Sequence, residues 1–246
     1  MTAKRLDQLL VDFGHYATRA RARDAIKRGC VRVDGVAITK PAATPHAKQA
    51  ITISDEALQY VSRAALKLIH GLDHFGIDPA GQICVDVGAS TGGFSQVLLE
   101  RSAETVFAID VGHGQLAELL QAAPNLINLE KLNARDLKSH HLDGNSPALV
   151  VSDVSFISLK LALPPALALA KDGANCILLV KPQFEVGRKM IGKNGLVRPA
   201  VARDCAVELS GWLDTQPGWR STGLIESPIM GGDGNMEFLL AGRKDG

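Results

Sequence analysis

Five runs of sequence, at 83–87, 106–110, 126–129, 148–154 and 174–181, are apolar at nearly every position, and stretches of helical character separate each from the next. A strand with one wet face alternates apolar and polar residues, so uninterrupted apolar runs belong to strands covered on both sides. Such strands alternating with helices specify an open, doubly wound parallel sheet. The end of the chain breaks the alternation. After a helical stretch at 200–213, strand-like runs at 221–229 and 235–242 are joined by Met230-Gly-Gly-Asp-Gly234, which is too short for a crossover helix and predicts an antiparallel hairpin. The expected fold is α/β, a Rossmann-like sheet finished by that hairpin, whereas a plain dinucleotide fold keeps its last strands parallel.

The beginning of the chain follows a different pattern. Leu6, Leu9, Leu10 and Phe13 recur at helical spacing up to Gly14, and Thr18 caps a second helix that runs through Arg28 to Gly29. Val31-Arg-Val33 and Val36-Ala-Ile38 flank Asp34-Gly35, a dipeptide that favours a type I′ hairpin turn. Residues 42–50 are small, polar and Pro-containing, and 51–53 return as one more short strand. A small α+β domain over 1–60 is therefore expected ahead of a larger one over 61–246, whose first helix covers 62–75 with Ser62 as its cap.

Charge separates the same two parts. The whole chain carries a formal charge of only +1, yet residues 1–48 hold ten basic side chains against four acidic, so the remainder is at −5. A basic end on a mildly acidic body suits a polyanion-binding module joined to something else. Arg5 and the cations of the second helix, Arg19, Arg21, Arg23, Lys27 and Arg28, are the candidate phosphate contacts. A solvated helix face is the plainer reading of the same residues.

Chemistry concentrates after the first strand of the sheet. Asp86-Val-Gly88-Ala-Ser90-Thr91-Gly92-Gly93-Phe94 passes from strand to helix, where the backbone approaches a ligand closely and a helix N-terminus faces it. Ser90 stands where a pyrophosphate-binding loop needs its second glycine, so the loop suits a ligand without phosphates. Asp110 ends the second strand, 22 residues beyond Gly88, where a carboxylate accepts both hydroxyls of an adenosine ribose, and Asp136, after the third strand, is placed to reach an adenine amino group. Together these favour S-adenosylmethionine over NAD. Lys67, Asp153, Lys181 and Glu237 each fall where an element delivers a side chain to the carboxyl edge of the sheet. Any one of them alone reads equally well as a structural ion pair.

As a set, in the order Lys, Asp, Lys, Glu, they resemble the tetrad of FtsJ-like ribose 2′-O-methyltransferases. The text around them, Ser62-Arg-Ala-Ala-Leu-Lys67, Val154-Ser-Phe-Ile-Ser-Leu159, Lys181-Pro-Gln-Phe-Glu-Val-Gly187-Arg188, Ile191-Gly-Lys-Asn-Gly195 and Gly234-Asn-Met-Glu237, is similar to the TlyA, or haemolysin A, family of ribosomal RNA methyltransferases. The similarity covers nearly the whole chain, and residues 5–35 resemble the RNA-binding fold of small-subunit ribosomal protein four. One stretch departs from the family, Pro199-Ala-Val-Ala-Arg203-Asp204, where an Asp-Pro pair and a His are usual. The resemblance implies methyl transfer from S-adenosylmethionine to a ribose 2′-hydroxyl of ribosomal RNA, a cytidine, with Lys181 as base or as electrostatic stabiliser and no metal.

Composition narrows the rivals. At 46% hydrophobic and 22% charged the chain is neither fibrous nor disordered. Cys30, Cys84, Cys176 and Cys205 lack paired spacing, and Met1 leads straight into an amphipathic helix, which together point to the cytoplasm. The longest apolar stretch, 159–170, contains Lys160 and two prolines and falls short of a membrane span, so a membrane-active cytolysin with stable membrane association is disfavoured. A catalytically silent RNA-binding or ribosome-assembly protein would keep the fold without needing the tetrad. An NAD-dependent oxidoreductase is disfavoured by Ser90 and by the terminal hairpin.

Overall fold

The computed structural model describes residues 4–46 and 48–245, and the chain divides into two compact units, 1–59 and 60–246. The small polar stretch at 42–50 includes Ala47, which lies outside the described residues, as do residues 1–3 and 246.

The first unit contains helices α1 (Leu6–Asp12) and α2 (Arg19–Lys27) and strands β1 (Val31–Val33), β2 (Val36–Ala37) and β3 (Ile51–Ile53). Thr18 caps α2 as expected, its hydroxyl accepting from the Arg21 amide at 3.3 Å. Asp34 and Gly35 both take positive φ, 49° and 79°, as a type I′ turn demands, and β1 pairs antiparallel with β2 on one side and β3 on the other. Leu6, Leu10, Ala22, Ala25, Ile26 and Val31 are buried together between helices and sheet.

Two ion clusters brace this unit. The Asp7 carboxylate is wholly buried and accepts from Arg5 at 3.0 Å and Arg19 at 3.1 Å; its hydrogen bond from Arg5, more than any other contact, holds its pKa down to about 2. Arg28 grips Asp55 with both terminal nitrogens at 2.9 Å and Asp24 with Nε at 2.7 Å, while the Tyr16 hydroxyl donates to Asp55 at 2.9 Å. Arg28 thus turns inward, because two carboxylates satisfy its fork more fully than water would.

The second unit is a seven-stranded sheet. Its strands are β4 (Ile83–Val87), β5 (Thr105–Ile109), β6 (Leu126–Leu129), β7 (Leu149–Ser152), β8 (Asn175–Val180), β9 (Trp219–Glu226) and β10 (Phe238–Lys244), in the spatial order β6-β5-β4-β7-β8-β10-β9. The first five are parallel, and β10 lies antiparallel to both β8 and β9, so the expected hairpin forms with its second strand inserted into the sheet. Alternate residues of each central strand feed opposite faces: Val85, Val150, Leu178 and Leu240 join one apolar cluster, Cys84, Leu149, Ile177 and Leu239 the other. Helices α3 (Ala65–Phe75) and α4 (Gly93–Glu100) cover the second cluster. Helices α6 (Leu159–Ala162), α7 (Pro164–Leu169) and α9 (Pro199–Leu213) cover the first; α5 (Glu118–Gln121) and α8 (Pro182–Glu185) are single turns. Helix α3 begins at Ala65, three residues later than expected, because Ser62 uses its hydroxyl on the Ala64 amide at 3.2 Å to close a preceding turn.

The buried Asp7 gives the first unit an acid limit. Its pKa is lower in the folded chain than in the unfolded one, so its stabilisation is complete above about pH 4 and is lost as pH falls towards 2. Asp7→Asn should cost about 1–3 kcal/mol at neutral pH and flatten that acid-side loss, read by amide hydrogen exchange of residues 6–53.

Candidate active site

The carboxyl ends of β4, β5 and β7 open onto a cavity of about 510 Å³, within the range that holds small-molecule ligands. Gly88, Ser90, Asp110, Gln115, Asn133 and Val154 are among its walls. Gly88 has φ +86°, and a Cβ there would press to 3.0 Å against the backbone of Val154, so only glycine lets β4 and the strand-end loop at 153–155 close together. Ser90 takes a left-handed φ of 49° despite its side chain, and the loop is held there by Asp110, which accepts from the Ser90 amide at 2.8 Å and the Gly112 amide at 2.7 Å. Each Asp110 oxygen keeps a lone pair for a further donor. Gly92, at φ +93°, is the residue that caps α4, and a Cβ on it would lie 2.4 Å from Leu120.

Gly92 lines neither this cavity nor its neighbour, and Asp86 and Asp136, also expected cofactor residues, stand away from the cavity surface too. Asp86 is fully buried behind the loop: one carboxyl oxygen accepts from Ser95 Oγ at 2.7 Å, the other is without a hydrogen-bond partner, and burial pushes its pKa up to about 7. Asp136 is exposed and does not line the cavity. The short 3₁₀ turn Ala134–Asp136 rotates it outward, and Asn133 and Ala134 reach the wall in its place.

A smaller cavity of about 130 Å³ adjoins the same loop, and Thr91, Gly93, Phe94, Asp153, Ser155 and Lys181 are among its lining residues. Lys181 follows the last residue of β8 and directs its ammonium at three oxygens. Ser155 Oγ lies at 2.7 Å, the Asp153 carbonyl at 3.3 Å and Asp153 Oδ1 at 2.7 Å, the last an ion pair outside hydrogen-bond geometry. Lys67 on α3 pairs with Glu237; the two are only 5% and 4% exposed. Val180 is paired with Phe238, so one step further along the same register Glu237 comes opposite Lys181. The four expected residues therefore form two ion pairs at one edge of the sheet.

Several residues at this edge carried no assigned role in the sequence. Ser155 sits inside the stretch Val154-Ser-Phe-Ile-Ser but has nothing but its neighbours to mark it. Glu185 is buried enough to raise its pKa and accepts from Ser158 Oγ at 2.5 Å and the Leu159 amide at 2.7 Å, tying the 153–158 loop to α8. Phe156 lines the larger cavity, is 90% exposed and rests against Phe184 at 4.9 Å between ring centroids. Of the expected polyanion contacts, Arg5 and Arg19 are half-exposed while bound to Asp7, Arg21 donates to the Ala57 carbonyl at 3.1 Å, and Arg23 and Lys27 stand exposed one turn apart on α2.

Residues 60–244 match the FtsJ-like methyltransferase model and residues 4–51 the S4 domain model. A Mycobacterium tuberculosis protein named 16S/23S rRNA (cytidine-2′-O)-methyltransferase TlyA is 42% identical, over 96% of this chain and 88% of its own length. This chain belongs to the TlyA branch of the FtsJ-like methyltransferase family. Hemolysin A of Brachyspira hyodysenteriae is another relative, 36% identical over 96% of this chain and 98% of its own. A solved structure from Streptococcus thermophilus, provisionally named a hemolysin, superposes with a TM-score of 0.76 at 36% identity, covering 98% of this chain and 88% of that one. Among the described residues of this TlyA-family chain no helix is long and apolar enough to cross a membrane.

The buried Lys67–Glu237 pair makes a thermodynamic prediction for the TlyA fold. Lys67→Met leaves a carboxylate buried without its partner and should cost about 3–5 kcal/mol, whereas the double change Lys67→Met with Glu237→Leu should recover most of that loss. Urea unfolding of the three proteins measures the difference.

Proposed function

We propose that the chain transfers a methyl group from S-adenosylmethionine to the 2′-hydroxyl of a cytidine ribose in ribosomal RNA, with the S4 unit binding that RNA. The observation that carries this reading is that Lys181 and Asp153 share the smaller cavity with the loop Gly88–Phe94. Asp110 at the adjoining cavity supports the cofactor assignment, since its remaining lone pairs suit a ribose diol. Asn133, rather than Asp136, is assigned to the far end of an adenosine.

The transfer forms an oxygen–methyl bond, breaks the sulfonium–methyl bond with its electron pair left on sulfur, and gives up the hydroxyl proton to solvent water. The task for the protein is to orient a weak nucleophile and accommodate charge growing on it. Lys181, already an ion-paired ammonium braced by Ser155 and Asp153, is assigned to hold the 2′-oxygen and stabilise that charge. Glu237 and Lys67 hold one another beside it and fix the position of the strand end that the ribose meets. The cytidine and the ribosomal target rest on the names of the relatives and on the S4 match.

Labelled methyl transfer from S-adenosylmethionine to purified small and large ribosomal subunits tests the reading. Wild-type protein should label the RNA of at least one subunit, and Lys181→Ala should reduce the rate by about 10²–10⁴ with cofactor affinity within about twofold of wild type. Retained cofactor binding with no label in either subunit or in free rRNA would overturn the ribosomal assignment.

A further inference from the structure

The 18 residues between Glu185 and Asp204 contain Arg188, Lys189, Lys193, Arg198 and Arg203 and not one carboxylate, within a chain whose last 198 residues are net acidic. Arg203 is neutralised by Glu226 at 3.1 Å. The other four are exposed, and among the described residues none of them has a carboxylate partner. They lie outside the basic N-terminal unit and outside both cavities.

The segment that carries them is built, not slack. Ile191 bridges Val197 antiparallel, the Gly192 amide donates to the Leu196 carbonyl at 2.8 Å, and Asn194 turns the chain with φ 61°. Its distal side is held by Asn235, only 2% exposed, which accepts from the Val197 amide at 2.9 Å and donates to the Gly195 carbonyl at 3.0 Å. Asn235 also fixes its own loop, its carbonyl accepting from the Gly231 amide at 2.9 Å, two residues before Glu237. The other root of the segment is α8, which starts immediately after Lys181. One end is thus anchored beside Lys181 and the other beside Glu237.

We propose that residues 186–198 form a phosphate-binding arm that seats the RNA backbone flanking the target ribose, with Asn235 keeping the arm in register with Glu237. This rests on the RNA-methylating reading of the site and extends it. Four unpaired cations fixed beside a site that must receive one nucleotide of a polyanion contact the neighbouring phosphates, which gives affinity and positioning without base choice. Only Met190 and Leu196 add exposed apolar surface to the arm, too little for an interfacial membrane face.

The test uses the full-length chain with Arg188→Gln, Lys189→Gln, Lys193→Gln and Arg198→Gln combined, and Arg203→Gln as a control. Binding to transcribed rRNA is measured against KCl concentration, beside cofactor affinity and the thermal midpoint. The quadruple variant should bind RNA at least tenfold more weakly at about 0.1 M salt, with the slope of log K on log salt reduced by about three, and the control should keep the wild-type slope. Cofactor affinity and thermal midpoint should be unchanged. A wild-type slope in the quadruple variant would overturn the arm while leaving methyl transfer by the wild type to stand. A reduced slope in a protein that methylates no rRNA would retain the arm and remove the enzymatic reading. Unchanged RNA binding with lost affinity for phosphatidylserine vesicles would replace RNA with a membrane surface as the partner.

Discussion

Strand β10 runs against its neighbours on both sides, and the arrangement of the candidate site depends on that reversal. In a parallel sheet the carboxyl ends of the strands gather at one edge and the amino ends at the other. A strand inserted the opposite way delivers its beginning to the edge where all the others end. Glu237 precedes Phe238, the first residue of β10, and so arrives beside Lys181, which follows the last residue of β8. The continuous ladder from Phe238 to Arg243 against β8 leaves little freedom to that placement, because a slip by one residue would exchange Leu239 and Leu240 between the two apolar faces.

Charges buried at such an edge are costly in isolation and tolerable in pairs. Lys67 and Glu237 satisfy each other almost out of contact with water, whereas Lys181 and Asp153 meet at a cavity wall. One pair is thereby structural in its energetics and the other accessible to a substrate, although the sequence presents all four residues alike. Asp86 completes the gradient: with no basic partner and one oxygen unmatched, it responds to burial by holding its proton more tightly.

Much of this could be read from the amino acids. The apolar runs are legible as strands because burial on both faces removes every polar position, and Asp34-Gly35 is legible because few residue pairs accept two positive φ angles. The tetrad and the glycine loop are legible through motif text. Asp136 lies off the cavity wall because a 3₁₀ turn advances side chains by a different angle from an extended strand end, which brings Asn133 to the wall instead. Arg28 read as an outward cation because its main partner, Asp55, lies 27 residues away, beyond any helical spacing rule. The fold of the segment at 186–198 is not legible in the sequence, because its anchor, Asn235, is remote along the chain and polar without being ionisable.

The Asp7 cluster has one more effect. Arg5 and Arg19 approach the same carboxylate from two sides while roughly half of each side chain stays in water. A guanidinium already tethered on one side has surrendered part of its rotamer freedom during folding, and loses correspondingly less of it on meeting an anion. The buried acid thus works as a jig for two surface bases, holding each part-ordered before any anion arrives.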